Sequence, residues 1–145
     1  MVQESFNLSL AIGGFLSLIA SLLHVGIIIV GARWYRFFGA GERFAQAAER
    51  GERLPDIVTA GIALVLLSWA LFGFSGSGLI PVLPMLKPAL LAIASIYLLR
   101  ALAIIPLFLF ARAKTTPFLL WSSLVCFGFA LAYWIGIAQI SGWQV

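Results

Sequence analysis

The residues of this chain that could do chemistry are few, and the most unusual of them is an arginine inside an apolar run. Arg100 stands near the middle of "IYLLRALAII", residues 96–105, about midway between Lys87 and Arg112. If this run spans a membrane, the guanidinium lies near the bilayer centre, where insertion of an arginine costs about 2.5–3.5 kcal/mol. We therefore expect a buried acceptor or a water-filled cavity beside it.

The interiors of the apolar runs offer no carboxylate to this arginine. Ser68, Tyr97 and a neutral His24 could accept from it within the runs. Glu42 follows "GAG", residues 39–41, where a bend could turn it inward, but helix side chains lean toward the helix N-terminus, which points Arg100 away from Glu42. Three interpretations stay open: a structural arginine held by hydroxyls, carbonyls and water, which we favour, an Arg100–Glu42 pair, and a substrate or ion-path residue.

His24 is the only histidine of the chain, and Cys126 is the only cysteine. A metal site needs three or four ligands, and one cysteine forms no internal disulfide or redox pair. No metal or cofactor is therefore expected. The string "ASLLH", residues 20–24, is similar to the histidine turn of bacterial antenna helices, so pigment or haem ligation is the alternative to a hydrogen-bonded packing histidine.

An embedded enzyme would need acid, base and anion-holding groups close together. His24, Tyr35, Glu42 and Arg100 are the available parts, and no nucleophile motif such as GxSxG accompanies them. We predict no catalytic residue. The candidates for a ligand site or a polar network are Arg100, His24, Glu42, Tyr97, Tyr35, Arg36 and Ser68.

The composition of the chain predicts the helices that position these residues. The chain has 145 residues, 63% of them hydrophobic and 10% charged, and its mean hydropathy is +1.10, whereas soluble domains have about 25% charged residues. We predict an all-α, integral membrane four-helix bundle that forms one transmembrane domain over residues 1–145. The spans run over about 8–32, 56–74, 88–111 and 117–140. Pro106 is expected to kink the third, and the kink either opens a cavity beside Arg100 or is a tolerated packing feature, which we favour.

Positive charge is concentrated in two of the three connections. Five arginines lie in residues 33–55 and two cations in residues 112–116, whereas Lys87 is the only cation of the second connection. The positive-inside rule places the first and third connections in the cytoplasm and both termini in the periplasm, and it accounts for the basic residues without nucleic acid. The first connection reads as a short amphipathic segment on the membrane surface, interrupted by "GAG".

A histidine-bearing first helix, "WYRFFGAGE" at 34–42 and "YLLRALA" at 97–103, in this order, resemble a group of small four-helix bacterial inner-membrane proteins. The resemblance implies the fold and the bacterial inner membrane, and no activity. We predict a non-enzymatic accessory or assembly subunit that contacts membrane lipids and forms a homo-oligomer or part of a larger membrane complex. The alternatives are a small transporter or channel for an anionic or polar substrate or lipid using Arg100, and an enzyme using His24, Glu42 and Arg100.

Overall fold

The computed structural model describes residues 6–140, and this part of the chain is helical without any strand. Short connections separate seven α-helices, and a single 3₁₀ turn, Arg112–Lys114, precedes the last of them. The helices are α1 (Leu8–Val30), α2 (Ala32–Phe37), α3 (Glu42–Glu49), α4 (Leu54–Ser77), α5 (Leu86–Leu102), α6 (Ile104–Phe110) and α7 (Pro117–Gln139).

Four helical segments are long and apolar enough to cross a membrane, with mean hydropathy between 1.8 and 2.2. They are Leu8–Val30, Leu54–Ser77, Leu86–Phe110 and Pro117–Gln139. These segments match the four predicted helices in length and apolar character, and they fit a multi-pass membrane protein. The second span extends beyond its predicted end at Phe74, because Gly76 packs against Leu10 and Leu90 inside the helix instead of opening a turn.

The third span consists of two helices, since α5 ends at Leu102 and α6 begins at Ile104. Pro106 has no backbone N–H, so the carbonyl of Leu102 loses its ordinary helical partner. This accounts for the interruption of the helix at Ala103. α6 contains no buried residue.

The chain divides into two compact units. One, here the α5–α7 unit, contains residues 1–17 and 69–145, and the other, here the α2–α3 unit, contains residues 18–68. α1 and α4 each contribute to both units.

Close helix contacts at glycines organise the α5–α7 unit. A Cβ atom on Gly73 would lie 2.7 Å from the Cα of Gly14, so the backbones of α1 and α4 touch there. Gly13 lies against the ring of Tyr133, and Gly136 lies against Leu10. Small residues let helix backbones approach each other closely in a membrane. The buried side chains around these contacts include Leu10, Leu90, Ala94, Ala130 and Tyr133.

In the α2–α3 unit, the first connection folds into two short helices around a small apolar core. Ile27, Tyr35 and Ala45 form this core, and Trp34 and Phe44 pack against it. Two glycines on either side of Ala40 have positive φ, 68° at Gly39 and 97° at Gly41, and this conformation ends α2 before α3 begins. The predicted interruption at "GAG" is therefore present.

Candidate functional site

Ser17 lies at the centre of a chain of hydroxyl groups in the α5–α7 unit. Its Oγ is 2.9 Å from the Oη of Tyr97 and 3.0 Å from the Oη of Tyr133. Tyr133 donates to the carbonyl of Trp69 at 3.0 Å. Since each hydroxyl has one hydrogen, a single direction fits all three bonds: Tyr97 donates to Ser17, Ser17 to Tyr133, and Tyr133 to the Trp69 carbonyl. This line of hydrogen bonds thereby joins α1, α4, α5 and α7.

Arg100 is held by hydroxyl groups of α7. Its Nη2 donates to Ser122 Oγ at 3.1 Å, and its Nη1 makes a longer contact of 3.4 Å with Ser123 Oγ. Ser122 in turn donates to the carbonyl of Leu119 at 3.1 Å, which leaves its lone pairs for the guanidinium. Although these bonds hold it, Arg100 is an exposed residue.

Two other hydroxyls that the sequence offers to this arginine, those of Tyr97 and Ser68, have different partners in the structure. Tyr97 is bonded to Ser17, and Ser68 donates to the carbonyl of Val65 at 2.6 Å. The serines that do accept were missed, although the pair "SS" at 122–123 is the only run of two adjacent hydroxyl residues inside the predicted spans. This serine pair was the feature of the sequence that could have identified the acceptors of Arg100.

The guanidinium lies closer to the start of α7 than the arginine backbone does. The ring of Tyr97 lies 5.1 Å from that of Phe129 and 5.9 Å from that of Tyr133. α5 and α7 are antiparallel, so the Arg100 backbone, one turn further along α5, is about level with Cys126. The side chain reaches back to Ser122 and Ser123, about 8 Å along the helix from Pro117. It therefore leans toward the C-terminal end of α5, opposite to the expected direction, because the serine acceptors lie there.

His24 lies in the α2–α3 unit and is bonded within its own helix. Its Nδ1 is 2.7 Å from the carbonyl oxygen of Ala20, so Nδ1 carries a hydrogen and donates it there. This contact fits a hydrogen-bonded packing histidine. Across residues 6–140, no three His, Cys, Asp or Glu side chains come together in a metal-binding group.

Arg36 bridges two carboxylates of α3 on the surface of the α2–α3 unit. It bonds both carboxylate oxygens of Glu42, the shortest distance being 2.7 Å, and it bonds Glu49 at 2.6 Å. Hydrogen bonds from Arg36 lower the pKa of Glu42 and of Glu49, and the same bonds raise the pKa of Arg36. The Glu42 carboxylate therefore takes part in the ion pair that joins α2 to α3.

Tyr35 fastens α2 to the start of α4. Its hydroxyl donates to Asp56 Oδ1 at 3.0 Å and lies 3.1 Å from Thr59 Oγ1. The side chain is almost fully buried, and burial raises the pKa of the phenol. Tyr35 and Arg36, which are neighbours in the sequence, thus hold α2 to two different helices, α4 and α3.

Of the candidates, Arg100 with Ser122 and Ser123 has the chemistry to bind an anion from outside the chain. Guanidinium and hydroxyl groups recognise oxyanions by charge-assisted hydrogen bonds. A shallow groove lined by Pro117, Leu120, Trp121 and Leu124 is apolar and occupies a different side of α7. No family model matches this chain, and no curated protein or solved structure is significantly similar to it.

Proposed function

We propose that this chain is a non-enzymatic accessory or assembly subunit of the bacterial inner membrane, which associates with another integral membrane protein through the side of α5 and α7 that carries Arg100. The proposal rests on the position, the exposure and the hydrogen bonds of this arginine. It lies inside a candidate span, is exposed, and is bonded to two neutral hydroxyls.

An arginine in this position requires more acceptors than Ser122 and Ser123 provide. A guanidinium has five N–H donors, and an unsatisfied polar group in hydrocarbon costs several kcal/mol. Contact with a polar group of another membrane protein would satisfy the remaining donors and remove the charge from lipid. In this role Arg100 is a recognition residue on the protein surface.

The other sequence candidates support an assembly role more than an enzyme. Glu42 is bonded to Arg36, and the Nδ1 of His24 is bonded to Ala20. Each of these groups is occupied by a local structural contact. The second candidate function is transport or binding of an anion or a lipid headgroup, which the exposure of Arg100 favours.

A photo-crosslinking amino acid at Ile96 tests the proposed association. Ile96 is one turn before Arg100 on α5 and is 46% exposed, and Leu131 on α7 is a control of matched exposure, 44%. Leu131 lies about 140° around α7 from Cys126, the residue level with Arg100. In native membranes we expect position 96 to form a defined adduct with another protein, and position 131 to form a weaker adduct or none. Equal adducts at both positions, or none at 96, would contradict the proposal.

A further inference from the structure

We infer that the partner presents an Asp or Glu carboxylate to Arg100 from a spanning helix of a different sequence from this chain. The inference rests on the proposed function and specifies the chemistry of the partner. The exposed guanidinium carries a positive charge, and in residues 6–140 its hydrogen bonds go to Ser122 and Ser123. A carboxylate supplies both the opposite charge and two acceptor oxygens in the bidentate geometry that arginine prefers.

The interiors of the candidate spans of this chain hold no carboxylate, so a second copy cannot supply one from the middle of a span. The chain has five acidic residues, and those of the first connection are engaged within it: Glu42 and Glu49 with Arg36, Glu52 with Arg50, and Asp56 with Tyr35. The fifth, Glu4, precedes the first candidate span in the sequence.

The depth of the guanidinium also distinguishes a protein carboxylate from a lipid phosphate. Arg112 and Lys114 lie in the 3₁₀ turn just before α7, at the end of the spans. Arg112 lies 4.5 Å from the centre of the Phe108 ring. These two cations are placed to meet the phosphates of the headgroup layer. Ser122 lies about 8 Å into the span, measured along α7 from Pro117. A side chain on a spanning helix can occupy that depth, whereas a phosphate would have to leave its layer.

The serines prepare the guanidinium for such a partner. Ser122 uses its hydrogen on Leu119 and accepts from Nη2, while Ser123 lies beside Nη1 and is buried. These contacts fix the plane of the guanidinium along α7 before a partner arrives. Pre-orientation lowers the entropy cost of forming a bidentate ion pair.

Model spanning peptides test the inference without knowledge of the natural partner. The 145-residue chain is reconstituted in vesicles of zwitterionic lipid together with a Leu-Ala helix that carries one Glu about 8 Å from one end of its apolar stretch. Otherwise identical peptides carry Gln or Lys at that position. Association is measured by energy transfer between a labelled peptide and the labelled chain. We expect the wild type to bind the Glu peptide about tenfold more tightly than the Gln peptide, a difference of about 1.4 kcal/mol.

Variants of the chain identify the residue responsible. Arg100→Gln should abolish the preference for Glu, and Arg100→Lys should retain part of it, because a lysine keeps the charge and loses the bidentate geometry. Arg112→Gln is the matched control and should keep the full preference. Circular dichroism shows whether each variant is as helical as the wild type. The lysine variant keeps the test decisive if the glutamine variant misfolds.

Three results would overturn the inference: an equal affinity of the wild type for Glu and Gln peptides, a preference that survives Arg100→Gln, and loss of the preference when phosphatidylglycerol is added to the vesicles. The last result would assign the site to a lipid phosphate. The crosslink from position 96 separates this inference from the proposed function. If the adduct forms in native membranes and no preference for Glu is seen, the association with another protein is supported and the inferred carboxylate is refuted. If Glu is preferred and no adduct forms, the proposed function is refuted.

Discussion

At the scale of single residues, one serine hydroxyl joins two tyrosines that belong to different helices. Ser17 of α1 accepts from Tyr97 of α5 and donates to Tyr133 of α7. Its side chain is completely buried, with 0% exposure. Each partner of Ser17 therefore depends on it differently: Tyr133 keeps a second bond to Trp69, whereas Tyr97 has its hydrogen bond to Ser17 alone within the described residues.

Removal of this hydroxyl should destabilise the protein, and a second substitution should restore part of the loss. In Ser17→Ala, Tyr97 keeps a buried hydroxyl without a partner, which costs about 1–3 kcal/mol. Adding Tyr97→Phe removes the unpaired hydroxyl, so the double variant should be more stable than Ser17→Ala. Tyr97→Phe alone should cost about 0.6 kcal/mol. Unfolding in mixed micelles with increasing sodium dodecyl sulfate measures the order, and a double variant less stable than Ser17→Ala would refute it.

The sequence indicated that Arg100 needs an acceptor but did not identify which one. The expectation came from charge and hydropathy, which are properties of the sequence itself. The choice of Ser122 and Ser123 depends on the register between α5 and α7, which the contacts of Tyr97 with Phe129 and Tyr133 set. The direction in which the arginine leans was also wrong in the sequence analysis, because the general tendency of helix side chains gave way to the acceptors that were present.

At the scale of helices, α1 and α7 each carry small residues spaced four apart, and the two sets differ in how far they pack. In α1, Gly13 packs on Tyr133, Ser17 is buried, and Ser21 donates to the carbonyl of Ala63 at 2.7 Å within the α2–α3 unit. This stripe is a packing face throughout. In α7, Gly136 lies against Leu10, whereas Gly128 has open space around it. Small residues spaced by four therefore all make contacts in α1, whereas only part of the set in α7 does.

Gly73 and Gly128 offer a matched test of helix contact. A Cβ on Gly73 would lie 2.7 Å and 2.8 Å from backbone atoms of Gly14, which cannot move aside as a side chain can. Gly73→Ala should therefore push the helices apart and cost about 1–3 kcal/mol. Gly128→Ala meets nothing within 4 Å and should be neutral or slightly stabilising, since alanine is the better helix former. Micelle unfolding measures both, and a harmless Gly73→Ala would contradict the backbone contact.

At the scale of the whole molecule, hydropathy was sufficient to predict the spans. Four apolar segments separated by polar or proline-rich connections admit few alternatives, and the helices end within a few residues of the predicted bounds. The fold of the first connection was less predictable. Its two helices are held by Tyr35 on Asp56 and by Arg36 on Glu42, and these pairings depend on the turn at Gly39–Gly41.

The arrangement of the charges predicts how the chain crosses the membrane. A single cysteine is introduced at Val82 or at Ala113 in a Cys126→Ser background, and whole cells are treated with a membrane-impermeant maleimide. Both positions are exposed, and they lie in the second and third connections. We expect labelling at position 82 in intact cells, and at position 113 only after permeabilisation, because the positive-inside rule predicts that the connection with Arg112 and Lys114 faces the cytoplasm. The reverse pattern would invert the proposed topology.

The direction of the hydrogen bonds around Ser17 has a consequence for proton movement. Conduction along hydroxyl groups requires every member to receive one proton and release another. The chain that begins at Tyr97 ends at the carbonyl of Trp69, a peptide oxygen with no hydrogen to release. A proton that entered at Tyr97 could not be passed on from the Trp69 carbonyl. These hydrogen-bonded hydroxyl groups of the α5–α7 unit can therefore join helices without conducting protons.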